Sequence, residues 1–486
     1  MDHLLSALLA VPLAGLAVLL ALPAKNSHLL RFWTLAVAGV ELVLSLVLAS
    51  RFDPSQGVQF IERAAWIPSL GAQYLLGIDG MSLAFVLLTA VVILLALLSS
   101  WSAIRMREKE YYAWFLLLES AVIGTFISLD LLLFFFCFEI VLVPMYFLIA
   151  FWGGERRQMA AMKFFLYTVL GSVILLLGII ALHQQHFTLT QQRTFALFDL
   201  MKAPLPPDIQ IWIFWAFFIG FAVKIPMFPF HTWLPDAHTE APTAGSVVLA
   251  ALLLKMGTYG LMRFSLPLFP DAARASAGVI AVLSIIAIIY GALVSLMQKD
   301  WKRLVAYSSV SHMGFCTLGM FAFTKGGLQG SLLQQVNHGI ASALLFLIVG
   351  VVYERTGTRA IAELGGLSRR LPILSIFFLI AILSSMGMPP LNGFVGEVIL
   401  LQGLYAVSTA WAAWTVLGIL LGAAYLLWLY QRTMFGTLRH PALTDLTLRE
   451  ILTMAPLLAG VFWIGLHPAP LLRWFEQPVN LILGAR

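Results

Sequence analysis

The segment Ile211-Trp-Ile-Phe-Trp-Ala-Phe-Phe-Ile-Gly-Phe-Ala-Val-Lys-Ile-Pro-Met-Phe-Pro-Phe230 is apolar except for Lys224, which is followed closely by Pro226 and Pro229. An ionisable side chain in hydrocarbon costs about 2.5–3.5 kcal/mol on insertion scales, so this lysine points to a polar path. Proline removes a backbone donor and clashes with the preceding turn, so the helix should break beside the lysine. Irregular backbone at membrane depth survives only where it is buried in protein or lines a wet cavity. The segment therefore predicts an interrupted membrane helix beside a path for a proton or a small cation.

Apolar segments of this length recur along the whole chain. Of its 486 residues, 61% are hydrophobic and 11% are charged, a composition typical of a polytopic membrane protein. A run of about 20 apolar residues can cross a hydrocarbon core of roughly 30 Å. We predict fourteen spans, near residues 3–22, 28–50, 78–100, 111–129, 130–152, 159–182, 208–230, 243–264, 275–297, 302–323, 328–352, 372–406, 408–434 and 450–467. The sequence thus predicts an all-α integral membrane protein in which residues 1–486 form a single domain.

The charge distribution predicts the orientation of these spans. The formal net charge is +6, and most lysines and arginines fall in the loops on one side of the predicted membrane. The positive-inside rule assigns those loops to the cytoplasm and both termini to the outside. Arg263 falls in an outer loop, which leaves Lys163, Lys224 and Lys255 as the basic residues within spans. Because membrane orientation and lipid contact account for the charge, we expect no nucleic-acid partner.

The chain offers no sequence pattern for a cofactor. Its two cysteines, Cys137 and Cys316, both fall within predicted spans. Two thiols cannot supply a four-thiolate iron–sulfur site, and buried cysteines usually serve as small packing residues. The sequence has no phosphate-binding glycine loop, no nucleophile elbow and no Cys/His metal spacing. We therefore expect no cofactor, no metal and no redox chemistry in this chain.

A second proline break indicates an internal repeat. Met388-Pro-Pro-Leu-Asn-Gly393 interrupts the twelfth span, with Glu397 just beyond it. Two such breaks in corresponding halves of a transporter are the best sequence indication of its ion path. Ionisable residues also recur at similar offsets: Glu139 to His312 is 173 positions, Lys163 to His338 is 175, and Lys224 to Glu397 is 173. We predict two five-span repeats, residues 111–264 and 275–434, covering spans 4–8 and 9–13 with spans 7 and 12 broken. The odd number of spans makes the second copy inverted, although evenly spaced helices alone would give a similar pattern.

Three motifs carry a family resemblance. Phe221-Ala-Val-Lys-Ile-Pro-Met-Phe-Pro-Phe-His-Thr-Trp-Leu-Pro-Asp-Ala-His-Thr-Glu-Ala-Pro-Thr-Ala-Gly-Ser246 and Leu253-Leu-Lys-Met-Gly-Thr-Tyr-Gly260 resemble the signature of the antiporter-like subunits of respiratory complex I. Phe134-Phe-Phe-Cys-Phe-Glu-Ile-Val-Leu-Val-Pro-Met-Tyr-Phe-Leu-Ile149 is most similar to the M-type members of that family, from bacterial NADH:quinone oxidoreductase. The resemblance covers all predicted spans.

The resemblance implies a set of proton-translocating residues. The family's charged positions in spans 5, 7, 8 and 12 fall on Glu139, Lys224, Lys255 and Glu397, where M-type members carry glutamate at the last position. The family's polar positions between the lysines fall on His231, His312 and His338. A Glu139–Lys224 pair would stabilise both charges and release a proton when opened, whereas a static ion pair is the alternative. Lys163 either joins the path or extends its ammonium to the interface.

The resemblance also implies a function and partners. The chain would be a proton-translocating subunit of NADH:quinone oxidoreductase in the bacterial inner membrane, next to L-type and N-type antiporter-like neighbours. FMN, iron–sulfur clusters and quinone would be bound by partner subunits. The alternatives are a subunit of a multi-subunit Na⁺/H⁺ antiporter, a subunit of a membrane-bound hydrogenase, and a structural scaffold whose path is sealed.

Overall fold

The computed structural model describes residues 3–203 and 205–484, and these residues are mostly helical. Within them, eleven helical segments are long and apolar enough to cross a membrane. This helical content and these apolar helices confirm the predicted helical membrane architecture. One departure from it is a two-stranded antiparallel hairpin between the second and third helices.

The elements of the first half begin at the amino end of the described chain. They are α1 (Leu4–Ala21), α2 (Ser27–Arg51), β1 (Gln59–Ile67), β2 (Ala72–Ile78), α3 (Gly80–Ser99), α4 (Glu108–Ile127), α5 (Leu131–Ile140), α6 (Leu142–Trp152), α7 (Arg157–Thr190), α8 (Leu197–Leu200), α9 (Pro207–Lys224), α10 (Trp233–Glu240), α11 (Thr243–Val248), α12 (Leu254–Gly260) and α13 (Leu266–Leu268). Two π-helical segments, Leu249–Leu253 and Leu261–Ser265, join α11, α12 and α13 into one continuous rod.

The second half consists of longer helices. They are α14 (Pro270–Leu296), α15 (Trp301–Met320), α16 (Lys325–Thr356), α17 (Pro372–Ser385), α18 (Asn392–Tyr405), α19 (Thr409–Met434), α20 (Leu448–Leu466) and α21 (Ala469–Leu483). Helix α16 is almost entirely buried and packs against α15, α18 and α20, so it lies at the centre of this half.

The hairpin is the element that the sequence analysis missed. Strands β1 and β2 pair antiparallel around Gly71, whose φ of +74° suits a residue without a Cβ. Glu62 on β1 accepts a hydrogen bond from the backbone N–H of Leu5 at 2.8 Å, which satisfies one of the free donors at the start of α1. The hairpin therefore anchors the amino-terminal helix to the edge of the bundle.

Both predicted proline breaks are present. Helix α9 ends at Lys224, and the chain runs through irregular backbone before a short 3₁₀ turn, Phe230–Thr232, leads into α10. In the second half α17 ends at Ser385 and α18 begins at Asn392. The cause is the same in both places, since a proline cannot donate to the preceding turn.

The two halves repeat one backbone arrangement. Asp130 precedes α5, and its neighbours form two bonds: Leu131 N–H to Phe195 O and Leu197 N–H to Leu129 O, each at 2.9 Å. Asp300 precedes α15 in the same way. Its neighbours also form two 2.9 Å bonds, which are Trp301 N–H to Arg359 O and Ile361 N–H to Lys299 O. Each pair of bonds ties the start of a helix to a loop about 60 residues further on.

These two arrangements lie at opposite ends of the bundle. Helices α5 and α6 lead from Asp130 to Gly153, and Gly154 N–H bonds to Glu240 O at 2.8 Å. Glu240, Gly153 and Lys302 line one cavity, so the far end of α6 is the end at which α15 begins.

Arg263 was predicted to lie in an outer loop, but the structure buries it within the protein. It lies in the π-helical segment after α12, only 2% exposed, and forms an ion pair with Asp79 at 2.6 Å. The guanidinium also donates to Tyr259 Oη at 3.1 Å. Asp79 additionally caps α3 by accepting from Ser82 N–H at 3.0 Å. The pair therefore ties α3 to the helix that carries Lys255.

We predict that Arg263→Met strongly destabilises the protein, because it leaves the Asp79 carboxylate buried without its cation. Breaking such a pair costs about 3–5 kcal/mol, and the thermal denaturation midpoint of the purified assembly should fall accordingly. The double variant Asp79→Asn/Arg263→Met should regain most of the loss, since asparagine still caps α3 and carries no charge.

The control is Arg107→Met, which removes a pair whose two side chains are about half exposed, Arg107–Glu110. An exposed pair contributes about 0–1 kcal/mol, so its midpoint should stay near the wild-type value. Equal midpoints for Arg263→Met and Arg107→Met would contradict the stabilising role of the buried pair.

Candidate functional site

Lys224 ends α9 at the proline break and is only 2% exposed. Its ammonium has no hydrogen-bond partner among the described residues, and Nζ lies 4.4 Å from the ring centroid of Phe138. A cation over an aromatic face is attracted by the ring, but this does not replace the hydrogen bonds of water. The Trp233 indole donates to Val223 O at 2.9 Å, so the tryptophan after the break fixes the end of α9. The lysine is held in position with its donors free.

Glu139 lies next to Phe138 on α5 and is partly buried. Its charge acts on Lys224, yet no ion pair within 4.0 Å joins the two among the described residues. One carboxylate oxygen, Oε1, is buried without a partner. Phe136 and Val143, on the same surface of α5–α6, are 52% and 42% exposed. The carboxylate therefore lies between the buried lysine and an apolar outer surface, in an open pair instead of the closed one that the sequence also allowed.

Lys255 is fully buried between the two π-helical segments. Its ammonium donates to Ala250 O at 2.5 Å and to His338 Nδ1 at 2.6 Å. A π-helical turn shifts the backbone bonding register, which leaves a carbonyl free to accept from a side chain. Since an ammonium only donates, Nδ1 of His338 must accept, and the ring proton then sits on Nε2. The sequence suggested His338 as a polar residue between the lysines, and the structure brings it into direct contact with Lys255.

The polar line continues from His338 to His312. The two imidazole rings lie 5.7 Å apart, centroid to centroid. His312 Nε2 is 3.5 Å from the hydroxyl of Tyr425, which lies on α19. Both histidines line a small cavity of about 20 Å³. This volume is enough to hold one water molecule. The other residues of its lining are Ser308, Gln334, Asn337, Ala341, Ser342, Leu345, Ser384, Ser385 and Gly393.

Glu397 lies near the start of α18 and is 5% exposed. Gln334 Nε2 donates to its Oε1 at 3.3 Å, and Gln334 is itself part of the cavity lining. The neighbouring Asn337 donates to Asn392 O at 2.7 Å, which satisfies a carbonyl at the second proline break. The break thus brings a buried carboxyl and two amides to the cavity that the histidines line.

The first two lysines are linked by close helix packing. A Cβ built on Gly257 would lie 2.7 Å from Ile225 Cγ1 and 2.9 Å from Phe221 O. Gly257 is two residues from Lys255, and Ile225 follows Lys224 directly. Glycine is required for this approach of α12 to the end of α9. The two lysines therefore lie on helices in contact, with no direct bond between their side chains among the described residues.

His238 is a candidate that the sequence analysis did not single out. It lies on α10, its two ring nitrogens have no hydrogen-bond partner among the described residues, and the ring stacks on Phe346 with ring centroids 4.6 Å apart. Lys302 and Lys255 both act on it electrostatically, so it lies near both lysines. The motif Trp-Leu-Pro-Asp-Ala-His-Thr contains His238 and could have indicated it as a candidate. The proline break favoured His231, which is nearer to it in the sequence.

Lys302 lies near His238, in the first turn of α15 at one end of the bundle. Its ammonium donates to Ala241 O at 2.5 Å. It also lines a cavity of about 280 Å³ together with two carboxylates and an arginine, which are Glu240, Glu354 and Arg359. From the sequence Lys302 was expected in a loop, whereas the structure buries it in the first turn of α15.

Lys163 and His231 lie beside the line of buried groups. Lys163 Nζ is 2.7 Å from Asp236, and Arg303 contacts the other oxygen of that carboxylate at 3.3 Å. The Lys163 side chain therefore points to Asp236 on α10. Both ring nitrogens of His231 lack partners among the described residues, and the ring lies against Phe228 and Tyr290.

The groups in this arrangement are ones that can exchange protons. It contains lysine, histidine and carboxyl side chains, and histidine exchanges a proton near neutral pH in water. Among residues 3–203 and 205–484, no group of three His, Cys, Asp or Glu side chains has the arrangement to hold a metal ion. Cys137 and Cys316 are buried and free, as expected for packing residues.

Comparison with known proteins shows the family of the chain. Residues 128–422 match a family described as NADH:quinone oxidoreductase/Mrp antiporter, TM. The NADH-quinone oxidoreductase subunit M of Rhodobacter capsulatus is 45% identical, with 96% of this chain and 94% of that protein covered. The chain belongs to this family.

Relatives and solved structures extend the family assignment. NADH-ubiquinone oxidoreductase chain 4 of Arabidopsis thaliana is 44% identical, covering 98% of this chain and 96% of the relative. A chain of respiratory complex I from Thermus thermophilus superposes with a TM-score of 0.89 at 31% identity, covering 99% of this chain and 98% of the other. A chain of the Mrp complex from a Dietzia species has the same fold, with a TM-score of 0.87 at 20% identity over 100% and 99% of the two chains.

The M-type resemblance is confirmed by these relatives. This family member is a multi-pass, antiporter-like membrane subunit of NADH-quinone oxidoreductase, respiratory complex I, and its partners are other membrane subunits of that complex.

Proposed function

We propose that this subunit carries protons along a line of buried groups that runs from Glu139 through Lys224, Lys255, His338 and His312 to Glu397. The observation that carries the proposal is the contact of Lys255 Nζ with His338 Nδ1 at 2.6 Å, in the interior of the protein. A buried ammonium that donates to an imidazole can pass a proton to it without crossing hydrocarbon. Water in the small cavity would then link the imidazoles to Glu397.

The first segment of the line depends on the open Glu139–Lys224 pair. A lone ammonium in an apolar site is destabilised, and an approaching carboxylate stabilises it. Closing the pair would therefore hold a proton on Lys224, and opening it would drive that proton toward Lys255 across the Gly257 contact. Glu139 lies near an exposed apolar surface of α5–α6, so an adjacent membrane subunit would be able to set the state of the pair. L-type and N-type antiporter-like subunits are the neighbours that we propose.

Proton uptake would use His238 and Lys302. The cavity beside Lys302 opens at the end of the bundle that carries Arg156, Lys299 and Arg359. The positive-inside rule makes that end cytoplasmic, with both termini on the periplasmic side of a bacterial inner membrane. His238, which lies near both Lys302 and Lys255, would relay the proton inward. Lys163 and His231, on the α7–α10 side, would tune the field around Lys224.

The two halves would serve as inverted repeats that supply two half-paths. The backbone bonds beside Asp130 and Asp300 have the same form and lie at opposite ends of the bundle. The offset between these aspartates is 170 positions, close to the offsets of 173 and 175 between the ionisable residues. Both proline breaks fall at ionisable residues, Lys224 and Glu397, as expected for residues 111–264 and 275–434 as related repeats.

Electron transfer would take place entirely in partner subunits, where we propose that FMN, iron–sulfur clusters and quinone bind. This chain would receive the energy as a change of charge or conformation at its boundary. A Na⁺/H⁺ antiporter or membrane-bound hydrogenase subunit would share the fold, and varying the Na⁺ concentration during vesicle acidification by the wild-type complex distinguishes the antiporter. Pumping that follows the Na⁺ concentration and not the proton supply would favour the antiporter.

We predict that Lys224→Ala nearly abolishes proton translocation per NADH oxidised while the complex still assembles. The physical reason is that alanine removes the group that accepts a proton at the first break. The measurement is acidification of vesicles containing the purified, reconstituted complex. The control is Lys202→Ala, which removes an exposed lysine paired with Asp199 at 2.8 Å. Wild-type pumping by an assembled Lys224→Ala complex would refute the proposed line.

Glu139→Gln should impair pumping, whereas Glu139→Asp should retain part of it. Glutamine keeps the size of the side chain but cannot take up a proton or stabilise the Lys224 ammonium by charge. Aspartate keeps the charge at a greater distance from Lys224. Proton translocation and NADH oxidation are measured in parallel on the same vesicles, so that uncoupling is distinguished from loss of the enzyme. The same rate in both variants would mean that the charge at this position is irrelevant.

Gly387→Ala should displace Glu397 and reduce pumping. Gly387 has φ +71°, and a Cβ there would lie 2.0 Å from Glu397 Oε2. The matched control is Gly357→Ala, because Gly357 has φ +72° and nothing lies within 4 Å of its Cβ position. Both variants incur the strain of a left-handed alanine, of order 1–2 kcal/mol, but only one moves the carboxyl. A similar pumping rate in the two variants would argue against a role for the position of Glu397.

A further inference from the structure

Two buried carboxyl groups lie away from the proposed proton line. Glu41 on α2 and Glu119 on α4 are both 0% exposed, and all four of their carboxyl oxygens lack a hydrogen-bond partner among the described residues. Glu119 is the charged group that acts electrostatically on Glu41. Ser45, one helical turn from Glu41 on the same buried face of α2, also has an Oγ without a partner. This part of the subunit thus contains four carboxyl oxygens without partners and only one nearby hydroxyl, that of Ser45, that also lacks one.

We propose that Glu41 and Glu119 form a proton-binding carboxyl pair, a protonation site distinct from the line through Lys224 and Lys255. Two like charges side by side in an apolar interior are strongly unfavourable, and sharing a proton removes one of them. A protonated carboxyl would supply an O–H donor for the carboxyl oxygens. The Ser45 hydroxyl would accept or donate one further bond.

Neutralisation by a protein cation is ruled out by the neighbouring helices. Neither α1, Leu4–Ala21, nor α3, Gly80–Ser99, contains an ionisable side chain. Arg31 on α2 is committed to Glu108, with both Nε and Nη2 within 3.0 Å of its oxygens. It also precedes Glu41 by ten residues, which is about 15 Å along the helix axis.

The elements on the other side of α4 hold no partner either. The ionisable groups on the elements packed against it are Tyr74 on β2, Cys137 and Glu139 on α5, Tyr146 on α6, and Lys255 and Tyr259 on α12. Three of these side chains contact residues other than Glu41 and Glu119. Tyr259 donates to Phe126 O at 2.8 Å, Lys255 donates to His338 Nδ1, and Cys137 packs near Gly124.

A proton suits the site better than a metal ion. Hard cations take six or more oxygen ligands, commonly including backbone carbonyls. Helices α2 and α4 are unbroken around Glu41 and Glu119, so their carbonyls are already used in helical bonds. Only carboxyl oxygens and one hydroxyl remain, which is enough to hold a shared proton.

A polar face of α4 connects the pair to the end of the bundle. Glu108, Tyr112 and Glu119 are spaced four and seven residues apart, which aligns them on one side of the helix. Tyr112 is 2% exposed, its hydroxyl lacks a partner among the described residues, and Arg31 and Glu108 both act on it electrostatically. A proton would therefore reach the pair from the Arg31–Glu108 side.

The experiment uses the intact purified complex and dicyclohexylcarbodiimide, an apolar reagent that modifies protonated carboxyl groups in apolar surroundings and leaves ionised ones unmodified. Peptide mass spectrometry then measures the extent of modification at each carboxyl group at neutral pH. We expect modification at Glu41 or Glu119 and none at Glu108, which is on the same helix as Glu119 but paired with Arg31. Absence of modification at both members of the pair would overturn the proposal.

The shared proton is tested with Glu41→Gln and Glu119→Gln. Removing one carboxyl group removes the like charge that favours protonation of the other, so modification of the remaining member should fall by about threefold or more. Unchanged modification would mean two independent protonated groups and would overturn the sharing. If neither variant assembles, a Na⁺ titration of the wild-type complex decides: protection by Na⁺ overturns a proton site, and insensitivity to Na⁺ supports it. The outcome is independent of the Lys224→Ala test, because neither glutamate belongs to the proposed line.

Discussion

The contact of the Lys255 ammonium with Ala250 O and His338 Nδ1 is the interaction on which the interior of this protein depends. An ammonium without partners in a membrane protein is too costly to keep, so the surrounding backbone has to supply acceptors. The π-helical segments on both sides of α12 do this by releasing a carbonyl. Helix α16 must then be buried at the centre of the bundle, because it carries the imidazole that accepts the second bond.

The same constraint explains the two proline breaks. Each break interrupts a helix where an ionisable residue lies, and tryptophan or asparagine side chains satisfy the freed carbonyls at Val223 and Asn392. Polar groups inside a membrane protein therefore occur together, since each one that is buried needs others to satisfy it. Lys224 is different, because its donors are free among the described residues, and an unsatisfied cation at a break is a natural place for a step that changes charge.

The interior also separates groups with different roles. Arg263 and Asp79 form a closed pair with Tyr259, and such a pair connects α3 to the helix of Lys255 without exchanging protons. Glu139 and Lys224 are near each other but not bonded, which leaves the pair able to change. Glu41 and Glu119 face no cation at all. Three pairs of ionisable groups thus differ in what they can do because of distance and partners, not because of residue type.

Much of the fold could be predicted from the sequence, because the membrane imposes a simple rule. Apolar runs of about 20 residues must be helices there, prolines must break them, and isolated charges must mark a path. Lys224, Lys255, Glu139 and Glu397 were accessible in this way, and the long motifs around them indicated the family. The β1–β2 hairpin was missed because its strands are short and lie outside the apolar runs, where that rule does not apply.

The sequence by itself determined the class of the protein, the positions of the helices and breaks, and which residues are ionisable within apolar surroundings. Only the tertiary structure decided which of these groups meet. Arg263 and Lys302 looked like loop residues but are buried, and His238 joined the candidate site only because the fold places it near both Lys302 and Lys255. The physical reason is that contacts between helices distant in the chain depend on packing at small residues such as Gly257, and no local pattern records where two helices approach.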